Sequence, residues 1–278
     1  MHKVFGLTIL MIAIASRSFG AEIANPISPG ITQESFSSSF DETPQTYLVK
    51  DFRPREQTDA PLLVIYLHGA IAHQDQGMTA GIYGNVFGRL ANELERLSAI
   101  YVCPEYRGGS WMGPSAEADL VQIISNLRKQ YRPGKIILIG GSMGGTSALI
   151  FAARHASELD GVIALCPATD VAAMYGAFSG QFKQSYGGSP SEVPAVYQER
   201  SARLHAEKLV TLPLVLIHGS ADAVIPVEHS RNLVATLKEL QARLKYLEVE
   251  GGNHDAPVYA VSWKDCFDFV LEGGKGEK

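Results

Sequence analysis

Ser142 stands in Gly140-Gly141-Ser142-Met143-Gly144-Gly145, directly after the apolar run IILI (136–139). The pattern is G-x-S-x-G where a buried strand hands over to a helix. A serine on so sharp a turn has a strained backbone, with its hydroxyl clear of the sheet. Side chains two residues to either side would collide, so both positions are glycine. The helix starting near Met143 turns its unpaired N–H groups and positive dipole end to the place where an oxyanion would form. The chemistry this suits is nucleophilic attack on a carbonyl.

A serine hydroxyl attacks only when a base takes its proton, and that base needs a partner to hold its tautomer. Eight histidines are present. His2 belongs to the N-terminal segment. His155, His205 and His229 lie in helical patterns and read as surface residues. His68 and His218 each precede glycine at a strand end and read as structural. His254, in GGNHD after the last strand, reaches the same sheet edge as Ser142. Asp222, in HGSADAVIP just after another strand, is the candidate orienting acid, with Asp170 in reserve. Asp255 adjoins the histidine in sequence and is poorly placed to reach its far nitrogen. The order Ser142, Asp222, His254 is the nucleophile–acid–histidine order of one hydrolase fold.

An oxyanion site needs two donors. The backbone N–H of Met143 is one; Ala70, in LHGA after the first parallel strand, supplies the other. An N–H from this pair contributes about 3 kcal/mol to a transition state. His73, in the long loop 69–82, and Tyr106, Arg107 and Trp111, in PEYRGGSWMGP, are candidate pocket residues. For Arg107 the competing role is pairing with a nearby acid; for Trp111, packing beneath its own loop. Met174, Tyr175, Phe178, Phe182 and Tyr186 recur at near-helical spacing and read as a packing face. No His/Cys/Asp cluster has metal-ligand spacing, and no phosphate loop is present. No cofactor is expected.

Elements must bring these residues together. LLVIYL (62–67), AIYVC (99–103), KIILIG (135–140), GVIALC (161–166), PLVLIH (213–218) and LKYLEVE (244–250) are short apolar runs of the buried parallel type. Helical patterns over 83–97, 116–130, 143–156, 229–241 and 257–271 alternate with them. Residues 31–40 and 45–54 flank DETP as an antiparallel pair. The fold class is therefore α/β: a mostly parallel central sheet flanked by helices. Residues 169–212 break the alternation. Ser189-Pro190-Ser191-Glu192 reads there as a capping box that starts a helix. This insertion is expected to form a small helical cap over the carboxyl edge of the sheet.

Composition sets bounds. Of 278 residues, 46% are hydrophobic and 19% charged, enough for one large domain with a sizeable core. The formal charge is −5 and no basic run occurs, which speaks against nucleic-acid binding. MHK, a dozen nearly apolar residues and SRSFG make a signal-peptide layout, with the apolar run too short to span a membrane. Residues 1–20 are thus expected to be removed, leaving 21–278 as a catalytic domain in a secreted or periplasmic protein with no stable membrane insertion. Cleavage there removes Lys3 and Arg17 and no acid, taking the charge from −5 to −7. Three cysteines in an exported chain are too few for a disulfide framework.

Taken in order, YLHGA, PEYRGGS, GGSMGG, SYGGSPSEVPAVYQERS before LPLVLIHGSADAVIPVEHS, and GGNHD resemble the α/β-hydrolase superfamily. Within it they are similar to the prolyl-oligopeptidase-like hydrolases, over roughly residues 45–272. The resemblance implies Ser142, Asp222 and His254 as a triad, with Ala70 and Met143 at the oxyanion hole. It implies a strand order that sets Cys103 and Cys166 three strands apart, about 14 Å, beyond disulfide reach. Stand-alone catalytic domains of this kind imply a carboxylesterase, on small esters or on acyl groups of polysaccharides. The alternative is a serine peptidase or amidase acting on small peptides or aminoacyl amides with the same residues; a non-catalytic binding module is a third. An ordinary imidazole base predicts an activity fall as pH drops through about 6 to 7.

Overall fold

The structure is a computed structural model describing residues 30–57, 59–78 and 84–272, with backbone alone at 84–87. The expected signal segment, 1–20, lies outside the described residues. Eight strands form one sheet: β1 (Ile31–Ser37), β2 (Pro44–Asp51), β3 (Leu62–Leu67), β4 (Ile100–Pro104), β5 (Lys135–Gly141), β6 (Gly161–Leu165), β7 (Leu214–Gly219) and β8 (Leu244–Val249). Their order is β1-β2-β4-β3-β5-β6-β7-β8. β1 and β2 form the antiparallel pair, β2 runs antiparallel to β4, and all later pairs are parallel.

The central strands are apolar throughout because both faces are covered. Leu63, Ile65, Leu138 and Val162 face one core, packed by α2 (Pro114–Tyr131), α3 (Met143–Arg154) and α7 (Glu228–Glu239). Val64, Ile137, Ile139 and Ile163 alternate onto the other. There α1 (Gly84–Arg96) and α9 (Trp263–Leu271) lie side by side. Leu120, Ile123, Ile124 and Leu127 form the buried stripe of α2. No helix among the described residues is long and apolar enough to cross a membrane. β4 and β6 stand three places apart, and Cys103, Cys166 and Cys266 are buried and unpaired.

Three expectations need correction. The stretch 257–271 holds two helices, α8 (Ala256–Ala260) and α9, because Val261 turns extended and Ser262 caps the second. The Ser189 box makes only half of its bonds. Glu192 reaches back to the Ser189 N–H (2.7 Å), but the Ser189 hydroxyl turns to the same carboxylate instead of to the backbone. The helix waits for Pro194 (α5, Pro194–Glu199), since the residue before a proline resists helical backbone and Val193 has φ −131°. Finally, only part of 169–212 covers the carboxyl edge. α4 (Val171–Tyr186), kinked at Phe178, lies over the loop after β4, whereas α6 (Ala206–Leu209) packs on α3 and α7.

Candidate active site

Ser142 links β5 to α3 with φ 58° and ψ −124°, a conformation costly for any residue with a side chain. Its N–H donates to Leu165 O on β6 (2.9 Å), which pins the turn. The surrounding glycines are required by backbone proximity. A Cβ on Gly140 would lie 2.4 Å from Gly144 C; one on Gly144, 2.0 Å from Leu67 O; one on Gly145, 2.8 Å from Leu165 O. The start of α3 is thus pressed directly on the ends of β3 and β6.

His254 reaches the serine from the far side. Its loop after β8 crosses Gly219, where a Cβ would meet Gly252 O at 2.3 Å and Asn253 O at 2.4 Å. His254 Nε2 lies 2.9 Å from Ser142 Oγ, and Nδ1 lies 2.7 Å from Asp222 Oδ2. Asp222 Oδ1 accepts the N–H groups of Val224 (2.8 Å) and Ile225 (2.9 Å). Burial works against its charge, but hydrogen bonds from His218, His254 and Ile225 N–H outweigh it. The carboxyl is held well below the usual carboxylate range. Burial also opposes a charge on His254. Hydrogen bonds with Asp222 and Cys166 prevail, and the ring is pushed up to about 10. Asp170 is committed elsewhere: it caps α4 and pairs with Arg203 at 2.7 Å.

The candidate oxyanion donors lie on either side of the β3–α3 contact. Met143 is the first residue of α3, where N–H groups have no intrahelical acceptor. Ala70 lies three residues beyond the end of β3. The Ala70 N–H shares a rigid peptide plane with Gly69 C=O, so fixing one aims the other. That carbonyl accepts from Ala72 N (3.2 Å) and faces His68 Nδ1 (2.9 Å). The Gly69 N–H donates to Gln76 Oε1 (2.8 Å), and the Gln181 amide of α4 donates to Ala70 O (2.9 Å).

The cleft beside Ser142 is lined chiefly by Tyr66, Gln76, Leu165, Cys166, Val258 and Trp263. Sequence reasoning placed none of these six at the cleft; Cys166 entered it only as a cysteine out of disulfide reach. The four candidates it did name sit elsewhere. The His73 ring is largely exposed and bonds Glu105 Oε1 at 2.6 Å. Tyr106 is buried and donates to His68 O (2.6 Å). Arg107 pairs with Asp41 and Asp119. Trp111 is buried against Phe178 and Phe182, and its N–H donates to Gln181 Oε1 (2.7 Å). For Arg107 and Trp111 it is the competing role, pairing and packing, that describes their surroundings. His218 and His229 also do more than expected. His218 Nε2 lies 3.2 Å from Asp222 Oδ2, and half-buried His229 accepts the Thr169 N–H at 3.3 Å. Linear spacing gave no metal cluster either, yet folding gathers Cys166, Asp222 and His254, their ligand atoms all within 4.8 Å of one another.

A mostly parallel α/β sheet, with a strained serine on the elbow after β5 and an imidazole within hydrogen-bonding reach, defines an α/β-hydrolase of the serine-hydrolase class. The chain belongs to the prolyl oligopeptidase family, which it matches over residues 91–270. YfhR of Escherichia coli K12 is 29% identical over 142 residues, 49% of this chain and 47% of YfhR. The chain thus spans about half the length of the curated relatives it matches. A puromycin-hydrolyzing peptidase of Mycobacterium tuberculosis superposes with a TM-score of 0.71 at 18% identity, over 87% of this chain and 39% of the peptidase. A ferulic acid esterase superposes with a TM-score of 0.65 at 16% identity, over 87% of this chain and 98% of the esterase. At these identities the likeness to solved structures is one of fold.

Proposed function

We propose that the chain is an exported carboxylesterase working through an acyl-enzyme, with Ser142 as nucleophile, His254 as base and Asp222 as the acid that orients it. The observation that carries this is the unbroken line of hydrogen bonds from Asp222 through His254 to Ser142. Ser142 Oγ attacks the ester carbonyl while His254 Nε2 takes its proton. The oxyanion is held by the N–H groups of Met143 and Ala70. His254 then returns the proton to the departing alcohol, and the acyl group stays on Ser142. Water repeats the sequence and releases the acid.

Two observations favour an ester. The cleft wall is largely apolar, with Leu165, Val258 and Trp263 beside the serine, as suits a compact acyl group. The esterase of like fold is matched along nearly its whole length. The peptidase of like fold favours the second reading, cleavage of aminoacyl amides by the same residues. Parallel assays on p-nitrophenyl acetate, a long-chain ester and an aminoacyl anilide separate the two. Faster turnover of the anilide would reverse the order of preference. Ser142→Ala should abolish the p-nitrophenol burst and all turnover with the fold intact; retained turnover would overturn the nucleophile. Support for export comes from the N-terminal residue pattern alone. N-terminal sequencing of protein recovered outside the cytoplasm should begin at Ala21.

A further inference from the structure

Cys166 has no part in the steps above, yet it stands among the residues that do. It follows the last residue of β6 with φ 40°, a backbone region that residues with side chains rarely adopt. It lines the cleft beside Ser142 and is almost wholly buried. Its sulfur, a carboxylate oxygen of Asp222 and a ring nitrogen of His254 all lie within 4.8 Å of one another. Among the described residues, no other group of three or more histidine, cysteine or acidic side chains is gathered in this way.

Thiolate, imidazole and carboxylate are the three ligand types that zinc takes, at about 2.3, 2.0–2.1 and 2.0–2.2 Å. On a tetrahedron of that size, neighbouring ligand atoms stand roughly 3.4–3.6 Å apart. The Asp222–His254 pair, now at 2.7 Å, must open by about 0.7 Å, and the sulfur must close in. Hard cations prefer six or more oxygens and are poorly served by a sulfur. The two anionic ligands balance a divalent charge, and the fourth position is left for water.

We propose that Cys166, Asp222 and His254 bind a thiophilic divalent cation of the zinc class, and that its binding shuts off hydrolysis. Coordination expels the thiol proton, and one ring proton where the imidazole is charged; at Nδ1 the proton that stays sits on Nε2, which then has no lone pair for Ser142. At Nδ1 the cation replaces the hydrogen bond to Asp222. At Nε2 it takes the lone pair that would accept the Ser142 proton. Either way the base is lost. The shut-off rests on the hydrolase function proposed above; the binding does not.

The test uses the full chain, stripped of metal with EDTA and titrated with Co²⁺. Wild type and Ser142→Ala should both develop a thiolate-to-cobalt band in the near ultraviolet that saturates at one equivalent. Zn²⁺ should erase the band and Mg²⁺ should not. Cys166→Ala should lack it, and so should Cys166→Ser, which keeps the shape of the side chain and guards against a packing defect. At free Zn²⁺ about ten times its Kd, wild-type turnover should fall about elevenfold and return with EDTA. Each cysteine variant, compared with its own metal-free rate, should resist the same dose. A wild type without the band, or a band that survives in Cys166→Ala, would overturn the site. A band without loss of turnover would overturn the shut-off. A protein that turned over no ester or amide would refute the hydrolase function while the cobalt titration still decided the binding.

Discussion

Gly144→Ala would strike the backbone contact on which the proposed oxyanion donors, Met143 and Ala70, depend. A Cβ at residue 144 would lie 2.0 Å from Leu67 O, 2.7 Å from Leu67 C and 2.9 Å from His68 O. All three are backbone atoms, so no change of rotamer relieves the clash. Real Cβ contacts hardly ever fall below 3.0 Å, so α3 and the end of β3 must part by about 1 Å. Met143 adjoins the new side chain on one side of that contact, and the chain to Ala70 continues from the other. Both donors therefore move relative to each other. A misplacement of about 1 Å costs on the order of 10²-fold in rate, and that is the loss expected in kcat. Overpacking also costs about 1–3 kcal/mol of stability. At roughly 2–4 °C per kcal/mol for a domain of this size, Tm should fall several degrees. Gly88→Ala is the control. It is exposed on α1 with nothing within 4 Å of the added carbon, and it should gain up to about 1 kcal/mol. The assay titrates active sites by the p-nitrophenol burst, so that kcat refers to folded enzyme, and follows unfolding by calorimetry. A Gly144→Ala protein with wild-type kcat and Tm would refute the claim that this contact sets the donors.

Asp222→Asn should lower kcat by about 10⁴, the size of loss expected when an acid stops fixing its histidine's tautomer. A loss below tenfold in steady-state assays would point to another acid. The raised pKa of His254, pushed up to about 10, moves the acid limb of kcat/KM above the 6 to 7 of an ordinary imidazole, since only the neutral ring accepts a proton. Cys166→Ala should move the limb back toward lower pH; with EDTA present, a wild-type limb at 6 to 7 would contradict this. The same shift carries a sign for stability. A ring with a raised folded-state pKa stabilises the fold fully below its unfolded value near 6.5, and that contribution is lost as pH rises toward 10. Trp111→Ala removes a side chain buried between the β4 loop and α4 and should cost about 3–5 kcal/mol in urea unfolding; a loss under 1 kcal/mol would mean the cap does not depend on it.

What the sequence revealed and what it hid have physical reasons. The central strands announced themselves because burial on both faces demands unbroken apolar runs. Ser142, Asp222 and His254 could be placed at one edge because in a parallel sheet every strand ends there, whatever the loops do. The cleft wall was hidden because Tyr66, Cys166, Val258 and Trp263 come from four elements with no shared spacing. The loop after β4 misled for another reason. Tyr106, Arg107, Trp111 and Met112 all have positive φ, so the chain coils tightly and turns inward side chains that a polar stretch would ordinarily expose. The Ser189 box was real in chemistry but four residues early as a helix start, because Pro194 governs the backbone before it.

Gln181 takes hold of two parts at once: its nitrogen grips Ala70 O, and its oxygen takes the indole hydrogen of Trp111. The lid helix and the rim of the reaction centre are thereby tethered through a single side chain. Lifting the lid to admit a bulky substrate would tug on the peptide that follows Ala70. Any exchange of this helix for that of a relative must carry an equivalent tether, or the rim will lose its brace even if the new helix docks perfectly.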